Sequence, residues 1–177
     1  MKKLIILSLI IIIVFSYSVF AGSQQPPLDL YGLSLGDSQS KVLNKLGNDY
    51  TEEYVDDVSN YVGEDYYIWH YDNGLDIYIG KNTKEIITIT INESNVKTAL
   101  NAKVGDNAQE VLKNYRKKYK ELVDIHTDQP VNGWFKVSDD TLLIFDFDRN
   151  DLTRVNGPVT SNSKVATIEL IYRSYFD

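Results

Sequence analysis

The chain has 177 residues, 12% of them aromatic, and a formal net charge of −7 at pH 7. Nucleic-acid-binding proteins usually carry clustered positive charge, so the acidic balance argues against that class. The sequence contains no cysteine, so an apolar core must stabilise the fold without disulfides. A chain of this size buries about two thirds of its unfolded surface, which is enough for such a core.

The first residues have the layout of a targeting segment. Two lysines precede an apolar run from Leu4 to about Phe20, and Val19 and Ala21 fit the small positions of a cleavage site. The pattern predicts a secretory signal peptide over residues 1–21 and an extracellular location for the rest. The run is also almost long enough to span a bilayer. The alternative is therefore an uncleaved membrane anchor with the folded part outside.

Two blocks of the sequence begin in the same way: residues 35–43 read LGDSQSKVL, and residues 104–112 read VGDNAQEVL. In each block a glycine permits a tight turn, and the polar residues after it can accept the free N–H groups of a helix start. Apolar residues then follow at helical spacing. The pattern predicts a helix that ends near Gly47 in the first block and a longer helix that reaches about Leu122 in the second.

A hairpin is predicted after the first helix. Residues 66–71 and 75–79 have strand-like patterns, and they flank Asp72-Asn73-Gly74. Asn-Gly favours the turn whose twist fits two paired strands. The sequence therefore predicts an antiparallel pair at this position.

Further strands are predicted from alternation of apolar and polar residues. In residues 86–91 the pattern places Ile87, Ile89 and Ile91 toward the core and the two threonines toward solvent. Residues 142–147 and 165–172 predict two more strands. In the last strand the inward set is expected to be Ala166, Ile168, Leu170 and Tyr172.

The order of features is the same in the two halves of the chain. Each half has a helix block, a strand with a tryptophan (Trp69 or Trp134), a polar turn and a closing strand. We interpret residues 28–95 and 96–177 as two copies of one unit, after a linker at 22–27. The expected fold class is α+β, with two tandem units, each a helix or helix pair packed on a three- to four-stranded antiparallel sheet. The other face of such a sheet can stay open to water.

This order of motifs resembles the BamE (SmpA/OmlA) fold and, doubled in tandem, the β-lactamase inhibitor protein (BLIP) family. The matching positions are Gly36, Asp37, Val42, Gly47, Trp69 and Tyr71 in the first unit and Gly105, Asp106, Val111 and Trp134 in the second. The chain is also similar to secreted proteins of unknown function from bacilli and clostridia. The resemblance implies a non-catalytic binding module that uses an open sheet face. The disulfides of BLIP-type proteins and the lipidated cysteine of BamE-type lipoproteins have no counterpart here. Neither β-lactamase inhibition nor outer-membrane assembly is therefore expected.

Aromatic side chains with a polar tip are favoured where a surface holds a protein, a peptide or a sugar. The densest aromatic cluster lies on the predicted hairpin. On its first strand one set of side chains points to each face, and both sets cannot lie in one core, so one set is expected to be exposed. The expected binding residues are Tyr66, Tyr67, Trp69, Tyr71, Tyr78 and Trp134. The alternative for each residue is that it is simply a large side chain of the apolar core.

Signals for catalysis or metal binding are weak. Glu53 and Asp57 could serve a hydrolase of wall polysaccharide only across a cleft, and they lie in an apparent solvated acidic loop. Residues 146–151 resemble the start of a calcium loop but lack the glycine at its sixth position. His70 and His126 have no recognisable catalytic context. We expect no catalytic residue, no metal and no cofactor.

These observations favour a secreted, non-enzymatic binding or inhibitory protein. Its partner is expected to be another protein or a cell-wall component, and not a nucleic acid. A membrane-anchored scaffold of the cell envelope is the alternative, and the hydrolase is a third hypothesis. Secretion without cysteine, together with many Ile, Lys, Asn and Tyr residues, indicates a Gram-positive source.

Overall fold

The computed structural model describes residues 28–147 and 153–176. The expected signal peptide and linker, and most of the calcium-like motif, lie outside the described residues. The described elements are two helices, eight strands and a short 3-10 helix, with these bounds: α1 Gln39–Leu46, β1 Thr51–Val55, β2 Tyr66–Tyr71, β3 Leu75–Gly80, β4 Ile86–Ile91, α2 Ala108–Tyr115, β5 Lys120–Val123, β6 Pro130–Lys136, β7 Thr141–Asp146, β8 Thr167–Tyr172, and the 3-10 helix Arg173–Phe176.

All eight strands belong to one antiparallel sheet, in the order β1-β2-β3-β4-β8-β7-β6-β5. The expected fold class of two tandem units, each with its own small sheet, is therefore wrong. The two halves of the chain meet where β4 pairs with β8, from Thr88 opposite Ile171 to Ile91 opposite Ile168. In separate units these two strands would each leave an unpaired backbone edge. Pairing them satisfies those N–H and C=O groups and gives one continuous sheet.

Both helices begin as the sequence predicts. The side chain of Ser38 accepts a hydrogen bond from the backbone N–H of Lys41, and that of Asn107 accepts one from Glu110. Each bond satisfies one free donor of the first helical turn. The expected length of the second helix is wrong, because α2 ends at Tyr115 and residues 120–123 form β5 instead.

The two helices and the segments around residues 28–35 and 96–104 cover one side of the sheet, which we call the helix face. The main apolar core lies there. It contains Val42 of α1 and Tyr115 of α2, together with inward residues of six strands, among them Trp69, Ile77, Ile89, Phe135, Leu143, Phe145, Ile168 and Leu170. The sheet therefore carries its larger core on this face.

The inward set on β4 is only partly as expected. Ile89 and Ile91 lie in the main core. The pairing of β3 and β4 shifts register between Tyr78 and Ile79, and this irregularity places Ile86 in the core in place of Ile87. On β8, Ile168 and Leu170 are in the core, whereas Tyr172 is only half-buried. Ala166 precedes the strand and is also half-buried.

The opposite side of the sheet, which we call the open face, has a second and smaller apolar cluster. It consists of Trp134, Leu142, Ile144 and Ile171, with Tyr175 of the 3-10 helix packed against it. Neither helix in the described part of the chain is long and apolar enough to cross a membrane.

Candidate binding groove

A groove of about 540 Å³ lies on the open face. Tyr78, Thr88 and Ile171 form part of its floor, and they are direct register neighbours on β3, β4 and β8. Its walls are the loop between β1 and β2, the 3-10 helix and Arg154. The full lining is Asp56, Asp57, Val58, Ser59, Tyr61, Val62, Tyr66, Tyr78, Ile87, Thr88, Arg154, Ile171, Tyr175 and Phe176. The volume lies within the range of typical ligand sites.

The β1–β2 loop is held in place by Asp57. Its carboxylate accepts hydrogen bonds from the backbone N–H groups of Tyr61 (3.1 Å), Val62 (2.9 Å) and Gly63 (2.9 Å). A carboxylate with several backbone donors fixes a loop without help from a partner. This wall of the groove is therefore formed before any ligand binds.

A second set of contacts fixes the end of the same loop. The Asp65 carboxylate accepts hydrogen bonds from the Tyr54 hydroxyl at 2.6 Å and the Lys81 ammonium at 2.9 Å. These bonds, that of Tyr54 first, lower the pKa of Asp65 to about 2. Glu64 accepts hydrogen bonds from the backbone N–H and the hydroxyl of Thr83, the latter at 2.7 Å. The loop is thus tied to the turn between β3 and β4.

Arg154 reaches the groove from the connection between β7 and β8. Its guanidinium makes a two-pronged ion pair with Glu169 of β8, with Nη2 at 2.9 Å from Oε1. The Arg154 side chain is 48% exposed, whereas that of Glu169 is only 7% exposed. Burial opposes the charge on Arg154, but the hydrogen bond to Glu169 raises the pKa of Arg154 overall, so the guanidinium stays ionised.

Three further hydrogen bonds hold the segment that carries Arg154. The Trp134 indole N–H donates to the Arg154 carbonyl oxygen at 2.7 Å. The Asn156 amide donates to the carbonyl oxygens of Asn132 (2.8 Å) and Phe145 (2.7 Å) at the end of β6 and β7. The Arg154 carbonyl and the side chain two residues further along are therefore bonded to the sheet.

Three of the groove tyrosines, Tyr66, Tyr78 and Tyr175, present uncharged rings. Tyr66 and Tyr78 lie with ring centroids 5.8 Å apart. Burial raises the pKa of Tyr78 and of Tyr175 to about 12. Burial, followed by the charge of Asp57, also raises the pKa of Tyr66. Their hydroxyl groups therefore stay protonated at neutral pH.

The six expected binding residues do not form one surface. Trp69 and Tyr71 are 2% and 7% exposed, and both belong to the main core on the helix face. The Trp69 indole N–H donates to Glu52 at 2.8 Å, and its ring stacks on Tyr50 at 4.3 Å. The Tyr71 hydroxyl donates to the Gly47 carbonyl at 3.1 Å. These two residues leave almost no surface for a partner.

The other four expected binding residues are divided between the helix face and the open face of the sheet. Tyr66 and Tyr78 line the groove. Tyr67 packs against the main core, and its ring centroid lies 5.5 Å from that of Tyr54. Trp134 lies on the open face but is 6% exposed, because the ring of Phe176 packs edge-on against it at 4.7 Å.

Several groove residues have no counterpart among the residues expected from the sequence. Arg154, Tyr175 and Phe176 lie in segments with no motif. Thr88 lies in the predicted strand 86–91, but it is buried, so the expectation that it faces solvent is wrong. Glu169 could have been noticed, because it is a charged residue within the apolar run of β8. A buried carboxylate requires a partner, and that requirement points to a cation on a neighbouring segment.

The acids considered for hydrolysis do not face each other as a catalytic pair. Glu53 lies on strand β1, so the expectation that it belongs to a loop is wrong. Its carboxylate is 3.5 Å from His70 Nε2. Asp57 already accepts three backbone N–H groups. In the described ranges no group of three or more His, Asp or Glu residues is placed to hold a metal ion.

Comparison with known proteins gives no match: no family model fits the chain, no curated protein is similar to it and no solved structure resembles it. The resemblance to the BamE and BLIP groups therefore stays a prediction, and the groove itself is the basis for a functional argument.

Proposed function

We propose that this chain is a secreted, non-enzymatic binding protein and that the groove on the open face holds its partner. The observation that carries the proposal is a groove of about 540 Å³ whose walls are fixed by hydrogen bonds within the protein. A preformed site does not have to order its loops and side chains when a partner binds, and this favours a higher affinity.

The exposed apolar residues also support binding. Val58 is 85% exposed, Tyr61 is 71% exposed and Phe176 is 37% exposed, and all three line the groove. Exposed apolar side chains gathered at one place, rather than scattered singly, are typical of interaction sites.

Binding is favoured over catalysis because two of the charged side chains that line the groove are already engaged by other groups of the protein. Arg154 is paired with Glu169, and Asp57 accepts three backbone N–H groups. A general acid or base must be free to exchange a proton with a substrate. Both groups have a structural partner instead.

Site-specific photocrosslinking in the producing cells tests this proposal. We would replace Tyr61 by benzoylphenylalanine and compare it with the same replacement at Tyr31. Tyr31 is 47% exposed and lies outside the groove. We expect a discrete crosslinked species from position 61 and none from position 31. Equal crosslinking from both positions, or none from position 61 in a folded protein, would show that the groove is not the binding site.

A further inference from the structure

The charged side chains around the groove are mostly acidic. Asp56 and Asp57 line it, and the charges that act on the Tyr66 hydroxyl are those of Asp57, Arg154, Glu53 and Glu169. Arg154 is the single cation in this set, and Glu169 neutralises it through two hydrogen bonds. The acids that are left give the groove a net negative charge, which attracts a cation.

The aromatic lining offers the second element of a cation site. Tyr61, Tyr66, Tyr78, Tyr175 and Phe176 contribute rings to the groove. A cation over the face of such a ring is stabilised by the electron-rich ring face, most strongly where water is excluded.

The same chemistry occurs elsewhere on this molecule. Lysine ammonium groups lie 5.1–5.8 Å from the ring centres of four other tyrosines, in these pairs: Lys45 with Tyr31, Lys81 with Tyr54, Lys84 with Tyr67 and Lys118 with Tyr119. In the described part of the chain, no such lysine lies over a ring of the groove. The groove rings can therefore receive a cation from outside.

We propose that the groove binds a lysine or arginine side chain carried on an extended segment of a partner protein, an inference that rests on the binding function proposed above. The acids and rings select the cation. The exposed rim of Val58, Tyr61 and Phe176 selects a protein over a small organic cation, because a small cation within the groove leaves this rim in water.

The test is a titration of the full chain with peptide probes. The readout is the change in NMR chemical shift of the backbone amides of Tyr66, Thr88 and Ile171. The probe is a capped peptide with one lysine between glycine and serine residues. There are two comparison probes. One is the same peptide with glutamate in place of lysine, and the other is choline. We expect shifts at the groove amides with the lysine peptide and none with the glutamate peptide. We also expect the affinity to fall as salt is added.

Two substitutions at one exposed position separate ring chemistry from folding. Tyr61→Phe keeps the ring and should leave the affinity for the lysine peptide nearly unchanged. Tyr61→Ala removes the ring and should lower the affinity by about twofold to thirtyfold. Because the Tyr61 side chain is mostly exposed and only its backbone N–H bonds to Asp57, neither change should unfold the protein.

Three outcomes would overturn the inference. They are shifts of equal size with the glutamate peptide, no groove shifts with the lysine peptide while the protein is folded, and choline binding as strong as peptide binding. If crosslinking from position 61 still gives an adduct in any of these cases, the groove remains a binding site and only the assignment of a basic partner segment fails.

Discussion

The ion pair between Arg154 and Glu169 predicts an unequal response to loss of its two members. Arg154→Met leaves a carboxylate that is 7% exposed without its partner, whereas Glu169→Gln leaves a guanidinium that is 48% exposed. Loss of one member of a buried pair costs about 3–5 kcal/mol, and an exposed pair contributes about 1 kcal/mol or less. We expect Arg154→Met to lower the free energy of unfolding by about 3 kcal/mol and Glu169→Gln by about 1 kcal/mol.

Urea unfolding at pH 7, followed by circular dichroism, measures both values. The double variant should be more stable than Arg154→Met alone, because it removes the buried charge together with its partner. A larger loss for Glu169→Gln than for Arg154→Met would show that unequal burial of the two side chains does not govern the response. Strict additivity in the double variant would show that the two side chains are not coupled.

The molecule contains a matched control for this experiment. Arg116 pairs with Glu121 at 2.8 Å, with side chains 47% and 8% exposed. The order of losses should be the same at that pair, with Arg116→Met costing more than Glu121→Gln. Arg116 and Glu121 do not line the groove. Their substitution should therefore change stability and leave the shifts caused by the lysine peptide unaltered.

Two further predictions concern pH and backbone geometry. Burial opposes protonation of His70, but the hydrogen bond to Asp76 at 2.9 Å and the nearby Glu53 raise its pKa above 6.5. The stability from this contact is complete below the unfolded pKa of 6.5 and is lost as pH rises through the folded pKa. His70→Gln should therefore flatten the fall of the urea midpoint between about pH 6 and 8. Gly133 has φ +86°, and an added Cβ would lie 2.5 Å from a carbonyl oxygen. Gly133→Ala should lower the melting temperature and reduce the free energy of unfolding by more than about 1 kcal/mol. A Cβ added at Gly157 has no neighbour within 4 Å, so Gly157→Ala should change the melting temperature little.

Features that depend on a few consecutive residues were predicted well. The caps at Ser38 and Asn107 and the turn at residues 72–74 follow from side chains and backbone groups that are near each other in the chain. Such contacts cost little entropy to form and do not need the rest of the fold.

The two edge strands were missed for a common reason. Thr51–Val55 is acidic and mostly exposed, and Lys120–Val123 is short, so neither has a clear pattern of buried residues. Each is bonded to a neighbour on one side only. Charged residues are frequent on such edges because they discourage pairing with other chains. The same charged residues remove the alternation of apolar and polar positions from which a strand is predicted.

Local sequence patterns correctly predicted where the helices begin, where the first hairpin turns and which aromatic residues of β2 share a side. Three features are apparent only in the folded chain: β4 pairs with β8, Trp69 and Tyr71 lie in the core, and Tyr66 and Tyr78 share a groove with Arg154. Alternation along a strand assigns side chains to two faces but does not say which face the helices cover. That choice depends on burial of the larger apolar surface and on backbone pairing between segments about eighty residues apart, and neither is visible in a local pattern.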